Sequence, residues 1–137
     1  MTQAHGGCLC GDVRFDVDWP SLWVAHCHCT MCQRAHGAAF VTWFGVDSGR
    51  ARIDDSAGAL RWYASSPGAE RGFCAHCGSS LFFRSERWPG ELHITLANLH
   101  GDADRAPMAH VFWDTHVDWA GVDPADGLPR KTATETE

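Results

Sequence analysis

The chain has 137 residues, 45% of them hydrophobic and 20% charged, with a formal charge of −6. That length suits one domain with a real core, and nothing approaches the long apolar run needed to cross a bilayer. Phosphate binding calls for a basic footprint, so the acidic balance argues against nucleic acid as a main partner.

The seven cysteines are an odd number, grouped as C-x-C, C-x-C-x-x-C and C-x-x-C. The opening residues carry neither the basic nor the apolar region of a secretion signal. Metal ligation in a reducing, cytoplasmic setting is therefore expected rather than disulfides. Ten of the eleven cations are arginine, a side chain suited to fork-like recognition of carboxylates.

Taken in order, Cys8-Leu9-Cys10-Gly11 reads as a tight metal-binding turn. Val13, Phe15 and Val17 then alternate with Arg14, Asp16 and Asp18, the pattern of a half-buried strand. Trp19-Pro20-Ser21 breaks it, and residues 22–25 form a second strand running into His26-Cys27-His28-Cys29-Thr30-Met31-Cys32. Residues 30–37 make about two helical turns, with Thr30 as N-cap and Gly37 as the stop. Cys32 then lies in the first turn, where the helix dipole favours a thiolate.

Residues 39–44 read as a buried strand, 45–55 as a turn-rich connection, and 60–63 as a short strand before the turn Ser65-Ser66-Pro67-Gly68. Residues 72–78 resemble a zinc knuckle, two cysteines two apart followed by glycine. Strands follow at 81–83 and 92–96, on either side of a turn around Trp88-Pro89-Gly90, and a last one at 110–113. The domain is expected to span 4–123, with 124–137 a polar tail, partly disordered. Many short strands with a single short helix make a mainly β fold pinned by metal.

The cysteines divide most economically into four and three. Cys8 and Cys10 with Cys74 and Cys77 complete one tetrahedral structural zinc site, provided the fold brings the two turns together; buried, unliganded thiols are the alternative. Cys27, Cys29 and Cys32 leave a second zinc with an open position for water, a thiol or a carbonyl oxygen. His36, four residues after Cys32, is the candidate that would close it. His26 and His28 interleave with the ligands and are expected to face away from the metal. The seven tryptophans are expected mostly in the core, with Trp23, Trp43 or Trp113 available to wall a pocket.

Three stretches, residues 7–15, 27–34 and 73–82, resemble the glutathione-dependent formaldehyde-activating enzyme family, which also includes centromere protein V. The likeness extends to Pro107-Met108-Ala109-His110, Trp119 and Asp126-Gly127-Leu128-Pro129. It implies a β-tent fold with two zinc ions, the structural one on Cys8, Cys10, Cys74 and Cys77 and the catalytic one on Cys27, Cys29 and Cys32. It also implies carbon-sulfur lyase activity on glutathione and formaldehyde, so a small-molecule thiol or thiol adduct is the expected partner. The competing expectation is a non-catalytic zinc module that carries a thiol or docks a protein.

Overall fold

Short alternating segments assemble into two sheets in the computed structural model, which describes residues 2–136. In chain order the elements are β1 (Gln3–Gly7), β2 (Arg14–Asp18), β3 (Trp23–Cys27), the helix α1 (Thr30–His36), β4 (Val41–Asp47), β5 (Ala51–Asp54) and β6 (Leu60–Ser66). After them come β7 (Ala69–Cys74), β8 (Ser80–Ser85), β9 (Glu91–Thr95), β10 (Leu99–His100) and β11 (His110–Val111). One sheet has the order β10-β1-β2-β5; the other, of seven strands, runs β11-β3-β4-β9-β8-β7-β6. The fold is mainly β, with α1 as its one α-helix among the described residues.

Several strands lie where the local pattern read as turn or loop. β1 has the composition Gln-Ala-His-Gly-Gly, poor in strand formers. Close approach explains it: a Cβ on Gly6 would stand 2.3 Å from the Phe15 ring and 2.4 Å from the Asn98 carbonyl oxygen. β5 lies inside the 45–55 connection, where four residues pair with β2 from Arg14↔Asp54 to Val17↔Ala51. β7 is held on both sides, by β6 and β8, with the register shifting between Gly72 and Phe73. Ser65 and Ser66 belong to β6, so the reversal itself is at Pro67-Gly68. β11 stops at Val111 because Phe112 takes a left-handed conformation at φ 54°.

The two faces of the seven-stranded sheet have different fates. One face supplies Val24, Phe44, Val46, Phe82, Leu92 and Ile94 to a core shared with Val13, Phe15, Val17 and Leu99 of the smaller-sheet side. Pleating sends the intervening residues to the opposite face. Among them are Trp23 and Cys27 of β3, Trp43 of β4, Arg71 of β7, Phe83 of β8 and His93 of β9, and all of these line a cavity.

Residues 124–136, read from composition as a polar tail, carry specific contacts to the edge of this sheet. His110 N donates to Pro129 O, Lys131 N donates to His110 O, and Trp113 N donates to Lys131 O. Thr136 is buried. No helix among the described residues is long and apolar enough to cross a membrane.

Candidate functional site

Two cysteine pairs 64 positions apart meet because the β1–β2 turn lies against the end of β7. Cys8, Cys10, Cys74 and Cys77 place their sulfurs within 4.8 Å of one another. Cys8 Sγ is 3.6 Å from Cys10 Sγ, and Cys10 Sγ is 3.8 Å from Cys74 Sγ. A tetrahedral zinc with Zn–S bonds of about 2.3 Å requires sulfur separations of about 3.8 Å. A disulfide needs about 2.05 Å, so the chemistry of this donor set fits the ion and not a cross-link. Backbone amides already serve these sulfurs, as in Val13 N to Cys8 Sγ at 3.3 Å. The Ser79 hydroxyl beside Cys77 brings that thiol down to about 5.

The middle trio forms by a different route. β3 delivers Cys27 and α1 delivers Cys32, while Cys29 caps the helix: its sulfur accepts the Cys32 amide at 3.2 Å. Cys29, and not Thr30, is therefore the N-cap, while Gly37 ends the helix at φ 60° as its sequence predicts. The three sulfurs lie within 4.8 Å of one another, with Cys32 Sγ 3.5 Å from Cys27 Sγ, again the spacing zinc fits. Hydrogen bonds from the Cys27 and Cys32 thiols, the Cys32 amide and the Arg71 charge make Cys29 the sulfur that ionises most readily. Cys32 is drawn down by its contact with Cys27, but donation to Cys29 and burial leave its thiol raised. The helix amide thus serves the capping sulfur rather than that of Cys32.

His36 does not join the trio. Its ring meets Trp43 edge-on at 5.4 Å, and burial lowers its pKa to about 4. Arg71 takes the neighbouring place: both terminal nitrogens stand 3.8 Å from Cys32 Sγ, and the guanidinium lies 4.9 Å over the Phe83 ring. Its Nε is buried with no hydrogen-bond partner among the described residues.

The trio opens into a cavity of about 640 Å³. Strand register explains its wall: Arg71 pairs with Phe83, Phe83 with His93, His93 with Gly45 and Gly45 with Trp23, one row across five strands. Gly45 is required there, since a Cβ would fall 2.4 Å from the Trp23 indole that lies across it. Trp23 thereby reaches His93, edge to face at 4.6 Å. Trp43 packs in one cluster with Cys27 and Cys32, and Trp23 and Phe83 pack against that cluster. Only Trp19 and Trp43 of the seven tryptophans are buried; Trp23, Trp43 and Trp88 line the cavity, and Trp113 does not.

On the far side of the trio, His28 and His110 are almost fully buried. The Asp126 carboxylate accepts from His110 Nε2 at 2.8 Å, leaving His110 Nδ1 to accept from His28 Nε2, also at 2.8 Å. Arg130, followed by His110, holds the Asp126 carboxyl well below its usual range. The stretch from the end of β3 to Cys29 is thus tied to the C-terminal segment, whose Lys131, Ala133 and Thr136 also line the cavity. His26 bonds the Thr42 hydroxyl instead at 2.8 Å. His76 is exposed and pairs with Asp12 beside Cys10.

Local spacing brought the cysteines to notice, but Arg71, His93 and Trp88 carried no signal of their own. A correct strand for residues 69–74 would have put Arg71 two residues from Ala69 on one face; its pairing with Phe83 lies in the register alone.

Residues 3–115 match a family model described as "Glutathione-dependent formaldehyde-activating enzyme". A Halomonas elongata protein named a putative glutathione-dependent formaldehyde-activating enzyme is 29% identical over 127 residues, covering 87% of this chain and 80% of that one. An uncharacterised lyase of Schizosaccharomyces pombe is 31% identical over 85 residues, 61% of this chain and 58% of the yeast protein. A crystal structure of a Rhodobacter sphaeroides protein superposes with a TM-score of 0.62 at 23% identity, covering 92% of this chain and 98% of that one, a likeness of fold.

Proposed function

We propose a function for a chain that belongs to the glutathione-dependent formaldehyde-activating enzyme family: a zinc-dependent carbon-sulfur lyase acting on the adduct of a glutathione-like thiol with an aldehyde. The name of the Halomonas relative supports glutathione and formaldehyde as the chemistry, and that of the yeast relative supports the lyase class. The observation that carries the reading is the position of Cys27, Cys29 and Cys32, three sulfurs with no fourth ligand beside them among the described residues, lining a cavity of about 640 Å³.

In this reading Cys8, Cys10, Cys74 and Cys77 hold a structural zinc, and Cys27, Cys29 and Cys32 hold the catalytic one. A three-sulfur zinc supplies a Lewis-acid position for a thiol sulfur or a carbonyl oxygen. The protein's own groups do the rest. Arg71, at 3.8 Å from Cys32 Sγ, offsets the negative charge that three thiolates accumulate and so lets an incoming thiolate approach. Trp43 and Phe83 keep water from that side and raise the strength of the charge pairing. Cleavage is redox-neutral: the adduct hydroxyl gives up its proton to solvent and its O–H pair forms the carbonyl, while the C–S pair leaves with sulfur as thiolate.

The test is turnover of glutathione with formaldehyde by the zinc-loaded protein, beside Cys32→Ser. The wild type is expected to accelerate adduct formation and breakdown. Cys32→Ser is expected to lose that activity and one zinc per chain while keeping its melting transition. Binding of the thiol without turnover would make the protein a carrier instead.

A further inference from the structure

We infer that the aldehyde part of the natural adduct carries an aromatic or comparably bulky apolar group, an extension that rests on the lyase reading above. The wall beside the trio is a continuous set of rings. Trp23 meets His93 at 4.6 Å, His93 meets Phe83 at 5.6 Å and Trp88 at 5.4 Å, and Phe83 meets Trp43 at 6.3 Å. All five rings line the cavity.

Part of the hydrogen-bonding capacity of that wall is already used within the protein. Trp23 Nε1 donates to Glu91 Oε1 at 3.1 Å, and His93 Nε2 bonds the same oxygen at 2.9 Å. Ser85 Oγ accepts the Arg87 amide at 3.1 Å. Arg87 itself donates to the Ala133 and Thr136 carbonyls while lying 4.7 Å over Trp88. A peptide-like thiol, with carboxylates, an ammonium and amides, finds few partners among these rings, and burying those groups unpaired is costly. An apolar ring loses nothing there and gains edge-to-face contacts.

Arg71, whose Nε is buried with no hydrogen-bond partner among the described residues, and the exposed lining residues Thr30 and Lys131 add polar and charged groups to the cavity. The charged groups suit the thiol carrier, and the rings of Trp23, His93 and Trp88 suit the carbon substituent. A hydroxymethyl group, the substituent formaldehyde provides, would leave the ring wall untouched. The specificity-determining residues are therefore Trp23, Trp88 and His93, with Gly45 giving Trp23 its position.

The experiment compares glutathione adducts of formaldehyde and of phenylacetaldehyde as substrates of the zinc-loaded protein, and S-methylglutathione and S-benzylglutathione as unreactive ligands by calorimetry. The inference predicts a kcat/KM at least tenfold higher for the phenylacetaldehyde adduct and at least tenfold tighter binding of the S-benzyl ligand. In Trp88→Ala both preferences are expected to fall severalfold. Turnover of both adducts without that preference, or equal binding of the two ligands, overturns the inference and leaves the lyase reading standing. Preferential S-benzyl binding with no turnover of either adduct overturns the lyase reading and supports the apolar subsite.

Discussion

Gly45 shows how one residue without a side chain organises a site. The Trp23 indole occupies the space its Cβ would fill, with three indole atoms within 2.7 Å of that point. Gly45→Ala therefore forces the ring off the wall rather than trimming a contact. Overpacking of this kind costs about 1–3 kcal/mol. The expected result is a shifted tryptophan emission spectrum and a lower unfolding free energy, with zinc content unchanged; an unaltered spectrum would show that Trp23 does not depend on this glycine.

Residue chemistry was legible where it is local. Cys27, Cys29 and Cys32 lie inside six positions, so chelate spacing alone marks them. The Cys74–Cys77 pair is marked in the same way, and its partnership with Cys8 and Cys10 followed from counting to four. Arg71 escaped notice because an arginine between Glu70 and Gly72 looks like any surface cation; what distinguishes it is a sulfur 39 positions earlier in the chain.

At the scale of elements, helix α1 is short, at seven residues, and depends on both ends. Cys29 closes the N-terminus, and Gly37 closes the C-terminus by donating its amide to Gln33 O from a left-handed conformation at φ 60°. Ala at that position meets no steric obstacle from neighbours but pays the left-handed penalty, about 1 kcal/mol. Gly37→Ala is expected to lower the urea midpoint accordingly and to weaken zinc retention at the trio more than at the four-cysteine site. Equal retention at both would mean that the helix end does not support Cys32.

Strands were legible where burial alternates, as in β2, where Phe15 and Val17 point inward between charged neighbours. They were not where pairing alone makes them. β1 and β10 have too little hydrophobic content to announce themselves, and β5 is four residues long. The ring wall is the clearest case. Its row crosses β7, β8, β9, β4 and β3, and no local window contains more than one member.

Across the whole molecule, the two sheets share one core while the outer face of the larger sheet is kept for chemistry. Buried titratable groups make that arrangement sensitive to acid. Burial holds His93 below its ordinary pKa, against the pull of Glu91. The unfolded chain therefore takes up a proton near pH 6.5 that the folded one refuses, and stability is full above that pH and declines below it. Asp126, held low chiefly by Arg130 and His110, adds a second decline below about pH 4. Urea unfolding across this range is expected to show both, and His93→Phe is expected to lessen the upper one, to which His26, His28 and His36, also held low by burial, contribute with the same sign. Stability that rises on acidification would contradict the assignment.

In the proposed reading zinc would give the molecule its other long-range tie. Structural zinc binding is worth on the order of 10 kcal/mol, comparable with the stability of a small domain. In that reading a four-sulfur site joining the β1–β2 turn to β7 would hold the sheets' ends together, and the trio would leave one position to substrate. X-ray absorption at the zinc edge, with metal content measured on the same sample, tests this division most directly. The account predicts two zinc ions per chain sharing seven sulfur neighbours, with at least one lighter atom that a bound thiol replaces by sulfur. A single zinc, or a lighter neighbour supplied by a histidine ring that glutathione does not displace, would contradict it.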